Sequence, residues 1–237
     1  MVLGKSSKKS FAIIAIIVGV MGVGIGAYSI ATVGSRLDQT ATQSEWMLLP
    51  STERLHPSAL NGSPLLGSPD APITMVEYGD YQCSNCQRFA TQVKPLIIEN
   101  YINSGKVKLI FKDFTIYGND SVNGAIATHC ASEQNKFWEM HDFIYQNQKA
   151  VNSGWLSEDS IKKLASGIGL DMQQFNACFD GKRYAQRITE NFNDGKAAGV
   201  NGTPTFIIID GKGQIVTVAG AQPFNTFKQV LDKMLEG

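Results

Sequence analysis

The stretch EYGDYQCSNCQRFA (77–90) carries two cysteines, Cys83 and Cys86, three positions apart. The chain holds four cysteines in all, the others being Cys130 and Cys178. A C-x-x-C pair can exchange disulfides, supply half of a metal site, or staple a loop. Structural zinc wants four ligands, usually as two close pairs. Cys130 and Cys178 are isolated, and none of His56, His129 and His141 neighbours the first pair. No metal site is expected. A Cys83–Cys86 bond would close so small a loop that it makes a poor staple. Redox exchange is the reading that remains.

Exchange needs one sulfur as thiolate near neutral pH. The elements around the pair supply that condition. ITMVEYG (73–79) is β-branched and apolar, which predicts a buried strand. From Ser84 to Asn103 the pattern is helical, with Phe89, Val93, Leu96 and Ile97 on one stripe and Pro95 expected to kink it. Cys83 therefore falls at a helix N-terminus, where free N–H groups and the dipole favour an anion. Cys86, one turn deeper, is placed to resolve a mixed disulfide formed at Cys83.

Further along, KVKLIFKDF (106–114) alternates with period two and reads as a strand. Helical patterns run from about 121 to 147, then over 157–167 with Ser157 as N-cap, 171–180 and 182–198. Strands at 203–210 and 214–220 flank a GKG turn, and a last helix spans 223–236. A right-handed crossover makes the first two strands parallel, and the short turn makes the last two antiparallel. The expected fold is α/β: a mixed sheet flanked by helices, with a helical insertion at about 120–185. The stripe Phe137, Met140, His141, Ile144 and Tyr145 reads as core, and His129 as a satisfied helix histidine.

Cys130 and Cys178 both fall in the helical block. A bond between them would close a loop of about 49 residues and restrict the unfolded chain by roughly 4 kcal/mol. A structural disulfide is the favoured reading. A second redox pair and two free thiols are the alternatives.

The N-terminus bears on location. Lys5, Lys8 and Lys9 precede FAIIAIIVGVMGVGIGAYSIATVG (11–34), which is uncharged. As a helix, about 24 residues reach roughly 36 Å, enough to cross a bilayer core of about 30 Å. The expected layout is a basic cytoplasmic tail (1–10), a transmembrane anchor (11–34), a spacer (35–63) and an exported domain (64–236). A cleaved signal sequence, and hence secretion, is the alternative. Gly22, Gly24 and Gly26 sit in this apolar segment without a strand–turn–helix unit, so they are no nucleotide loop. The whole chain has 21 basic and 21 acidic residues, so no basic face speaks for nucleic acid. Its 43% apolar and 18% charged residues exclude disordered and fibrous classes.

Three segments taken together, APITMVEYGDYQCSNCQRF, CASEQNKFWEMHDFIYQNQ and GVNGTPTFIIIDG, resemble the DsbA-like branch of the thioredoxin superfamily over about 64–236. The resemblance implies a thioredoxin-like fold with an inserted helical domain, and thiol–disulfide oxidoreductase activity without a cofactor. It makes Cys83 the exposed nucleophile and Cys86 its buried partner. Thr203 and Pro204 match the cis-proline segment facing the pair, whose backbone can bind a substrate strand. Glu77, six residues before Cys83, matches a buried acid that takes or relays the proton of Cys86. Between the cysteines the best-studied oxidases carry Pro-His, and this chain has Ser84-Asn85. That departure predicts a less depressed Cys83 and a less oxidising disulfide. Asp80 and Tyr81 are read as rim residues.

The expected partners are unfolded exported proteins as substrates and a membrane redox protein for reoxidation. Rival readings are a disulfide reductase or isomerase, a non-catalytic peptide-binding chaperone, and a metal chaperone.

Overall fold

The structure, a computed structural model, describes residues 63–236. The basic tail, the apolar segment 11–34 and nearly all of the spacer lie outside the described residues. Among the described residues no helix is long and apolar enough to cross a membrane.

Strand β2 (Ile73–Gly79) is buried along almost its whole length. It runs parallel to β3 (Val107–Asp113), in register from Ile73↔Val107 to Gly79↔Asp113. On its other side it pairs antiparallel with β4 (Thr205–Ile209), which turns back into β5 (Ile215–Ala219). Asp210 makes that turn: its Oδ1 accepts the N–H groups of Lys212 and Gln214, while Gly213 takes a φ of +82°. A two-residue strand, β1 (Leu65–Leu66), covers the outer edge of β3 and completes the order β1-β3-β2-β4-β5. Two residues carry no periodicity, so β1 escaped the sequence reading.

Period-two alternation had suggested one wet face for β3. Both faces are covered instead. Lys112 is buried, and its Nζ donates to Asn191 Oδ1 at 2.8 Å and lies 3.5 Å from Asp194. The central strands of a sheet layered by helices on both sides have no wet face to alternate towards.

The helix after β2 is not a single α-helix. It runs as α1 (Ser84–Arg88), a π-helical segment (Phe89–Val93), α2 (Lys94–Ile97) and a second π segment (Ile98–Ile102). Pro95 has no N–H to give the Thr91 carbonyl, and the ladder widens beside it. A wider helix keeps positions four apart in line. Phe89, Val93, Ile97 and Tyr101 stay buried against the sheet, whereas Leu96, expected on that stripe, is 38% exposed.

Four helices form the block between β3 and the rest of the fold: α3 (Asn119–Ser132), α4 (Phe137–Gln146), α5 (Glu158–Gly167) and α6 (Met172–Asp180). The pattern over 121–147 is broken by Asn135, whose φ of +59° ends α3 in the left-handed region. Asp171 caps α6, accepting from the backbone of Gln173 and Gln174. Helix α7 (Ala185–Ala197) covers one sheet face and α8 (Phe224–Glu236) the other. The block has its own core, and Phe111, Tyr81 and Cys86 belong to it. The C-x-x-C pair therefore lies at the junction of sheet and block.

Candidate active site

Strand β2 ends at Gly79 because no side chain fits there. A Cβ would stand 2.6 Å from the Phe111 ring. The chain then turns through Asp80–Gln82, with the Cys83 N–H donating to Asp80 O at 3.0 Å. Asp80 and Tyr81 are fully buried, not at a rim. Asp80 Oδ1 accepts from the Gln82 N–H and the Ser121 hydroxyl, and Oδ2 from the N–H groups of Ile116 and Tyr117. One buried carboxylate thus ties the turn to the loop before α3, and burial raises its pKa against all four bonds. The Gln82 amide bonds Tyr117 O, Ser121 Oγ and both a side-chain and a backbone atom of Asn152. Gln148 Nε2 donates to the carbonyls of Tyr81 and Cys83 at 2.8 and 3.1 Å. These contacts span 35 to 70 positions in sequence, and no local pattern announces them.

Cys83 is the N-cap of α1, with extended backbone (φ −76°, ψ 119°). Its sulfur lies 3.2 Å from the Thr203 carbonyl. The Cys83 thiol is driven down to about 6, first by the Cys86 thiol as donor, then by the Thr203 side chain and the amides of Cys86 and Asn85. Together these outweigh the burial that opposes ionisation. Cys86 is pushed the other way, chiefly by burial and then by its bond to Cys83. The expected exposed nucleophile is a correction: Cys83 is only 4% exposed in this dithiol form, while Ser84 and Asn85 face solvent. The Tyr117 hydroxyl bonds Cys83, and Thr203 flanks its sulfur. The Thr203–Pro204 peptide is cis, and the Pro204 carbonyl accepts from the Gly220 N–H at 2.8 Å.

A split-acidity dithiol at a helix N-terminus against a cis-proline loop can be compared with known proteins. The thioredoxin family model matches residues 60–233. The "Probable disulfide bond formation protein D" of Bacillus cereus is 32% identical over 176 residues, which are 72% of this chain and 78% of that one. The crystal structure of Wolbachia pipientis alpha-DsbA1 superposes with a TM-score of 0.68 at 29% identity, over 78% of this chain and 96% of the other. That of oxidised BdbD from Bacillus subtilis gives 0.67 at 24%, over 74% and 94%, a likeness of fold. The chain belongs to the thioredoxin family, in its DsbA-like branch. It is a thiol–disulfide oxidoreductase.

In this oxidoreductase Glu77 lies in the middle of β2, fully buried, and neither carboxyl oxygen has a hydrogen-bond partner. Burial raises its pKa to about 8 against the nearby Lys94 charge. The sequence gave no hint of Lys94, itself a buried lysine. Cys130 and Cys178 are joined by a disulfide linking α3 to α6, far from the C-x-x-C turn in sequence. His129 bonds Asp113 at 2.7 Å inside the fold. His141 is a core residue of α4, its pKa lowered to about 4 mainly by burial. Among the described residues no cluster of three or more His, Cys, Asp or Glu side chains stands ready to hold a metal.

Proposed function

We propose that this oxidoreductase donates the Cys83–Cys86 disulfide to exported proteins on the outer side of the cytoplasmic membrane, anchored by residues 11–34. The observation that carries the direction is the opposed acidity of the two sulfurs. With Cys83 held near 6, thiolate exceeds thiol about tenfold at pH 7. A stabilised thiolate exists only in the reduced enzyme, so it draws electrons onto the pair and makes the disulfide oxidising.

The steps follow. A substrate thiolate attacks Cys83 Sγ, the Cys83–Cys86 bond breaks, and Cys86 leaves as a thiolate. Buried in apolar surroundings, Cys86 takes a proton, and Glu77, protonated below about 8, is the acid that gives it. Cys86 is then a thiol and a poor attacker, so the mixed disulfide does not collapse back. A second substrate thiolate attacks the substrate sulfur of that bond. Cys83 leaves as the stabilised thiolate and the substrate gains a disulfide. Two electrons now reside on the enzyme pair, and a membrane-bound oxidant removes them. The substrate backbone lies along Thr203–Pro204, as an added strand.

The export reading rests on the lysines ahead of 11–34 and on the Cys130–Cys178 bond, which suits an oxidising compartment. The name of the Bacillus cereus relative, a disulfide bond formation protein, speaks for the same direction. The test is equilibration of the purified protein with glutathione, beside oxidation of a reduced, unfolded protein. A potential between about −120 and −180 mV and stoichiometric oxidation are expected, with Cys83→Ser inactive. A potential near about −270 mV, as in reducing thioredoxins, overturns the direction.

A further inference from the structure

A proton taken from or given to Glu77 has to be managed in a place water does not reach. On β2, Glu77 shares its face with Met75, and its cross-strand neighbours are Phe111 on β3 and Phe206 on β4. Phe206 leans on Phe89 at 4.4 Å and Phe111 on the His141 ring at 4.9 Å. The acid is thus walled by aromatic rings, with both oxygens unpartnered. Such a group responds strongly to the few charges that share its low-dielectric surroundings.

Those charges come from three elements. Cys83 and Cys86 face it from the start of α1, and Tyr81 from the turn before it. Lys94 faces it from α2. From α4 come Asp142, Tyr145 and, beyond Phe111, His141. Lys94 is 1% exposed, and nothing in an amphipathic helix requires a lysine to be buried. Its ammonium is held in one place. It pairs with Asp142 Oδ1, lies 3.4 Å from His141 Nδ1 and stands 5.2 Å from the centre of the Trp138 ring. Asp142 also bonds His141 Nδ1 at 2.7 Å, and its side chain is 40% exposed. The cluster therefore runs from the wet surface of α4 to the sealed face of β2.

We propose that Lys94, fixed by Asp142 and His141 of the helical block, is a positioning residue that governs proton exchange between Glu77 and Cys86. The cation favours the ionised carboxylate, and Asp142 opposes it. Their balance sets the pH at which Glu77 can return a proton to the leaving Cys86 sulfur. The block contributes to the chemistry through this contact while touching neither substrate nor the reacting sulfurs. The inference deepens the acid role given to Glu77 above.

The test titrates the Glu77 side-chain carboxyl carbon by NMR in the reduced full-length protein. Lys94→Met should move its midpoint up by about one pH unit or more, and Asp142→Asn should move it down. Lys94→Arg should restore the original midpoint. The pH profile of single-turnover exchange should move with each midpoint, and no movement should remain on a Glu77→Gln background. A loosened fold gives no such opposed pair of shifts. Unmoved midpoints, or shifts of one sign in both variants, overturn the proposal. If Lys94→Met does not fold, Asp142→Asn decides alone: a downward shift supports the proposal and a static midpoint refutes it. The readout does not depend on the direction of electron flow, so a reducing potential with opposed shifts would overturn the oxidase assignment and spare this one.

Discussion

Replacing Thr203 by valine isolates one donor to the Cys83 sulfur. Valine keeps the β-branch, the cis Thr203–Pro204 backbone and the carbonyl 3.2 Å from the sulfur, and deletes only the hydroxyl. That hydroxyl is buried and has no partner in the dithiol form, so it gains an acceptor when Cys83 ionises. A hydrogen bond to a charged group is worth about 1.5–3 kcal/mol, or about one to two pH units. The Cys83 pKa should rise from about 6 to about 7–8. The sign follows from linkage. The Cys83 pKa is depressed from 9.0 in the fold, so its stabilisation of the reduced protein is complete above 9 and is lost as pH falls through about 6. In the variant that loss begins about one to two pH units higher. At pH 7 the reduced form should lose about 1 kcal/mol, making the couple about 20–30 mV more reducing. Iodoacetamide alkylation rates against pH give the first number, and glutathione equilibration the second. A midpoint that moves by less than about 0.3 unit would mean that Cys86 and the two helix amides hold the thiolate without Thr203. A potential that rises would refute the linkage argument itself.

Three other outcomes are expected. Glu77 has a raised pKa in the fold, about 8 against 4.5, so the unfolded chain releases its proton first and the fold weakens as pH climbs between those values. Glu77→Gln should flatten that slope, worth up to about 1.4 kcal/mol per unit, in urea denaturation series at several pH values. The double variant Cys130→Ala, Cys178→Ala opens a loop of 48 positions and should lower unfolding stability by about 4 kcal/mol, read from the same denaturation curves, with alkylation of Cys83 unchanged at a temperature where it stays folded. Gly79→Ala drives a methyl into the Phe111 ring and should cost about 1–3 kcal/mol. It should also slow exchange by displacing the Asp80 turn, and a fully stable, fully active variant would contradict the close packing at the end of β2.

Sequence alone reached the strands β2 to β5, most helices and the placement of Cys83 at a helix start, because each leaves a local periodicity or a capping pattern. It reached Thr203, Pro204 and Glu77 through motifs shared with a family. It missed the two-residue β1, which is too short to carry a period. It set Leu96 on the core stripe because α-helical spacing was assumed where the chain widens into π turns. It left Asp80 and Tyr81 at a rim because nothing in DYQC tells that the loop before α3 will close over them. Gln148 reaches Cys83 across 65 positions and Lys94 reaches Asp142 across 48. Periodicity reports which face of an element is buried. Only the packing of one element on another decides which buried groups meet, and so how far the field of its neighbours moves a thiol at 83 or a carboxyl at 77.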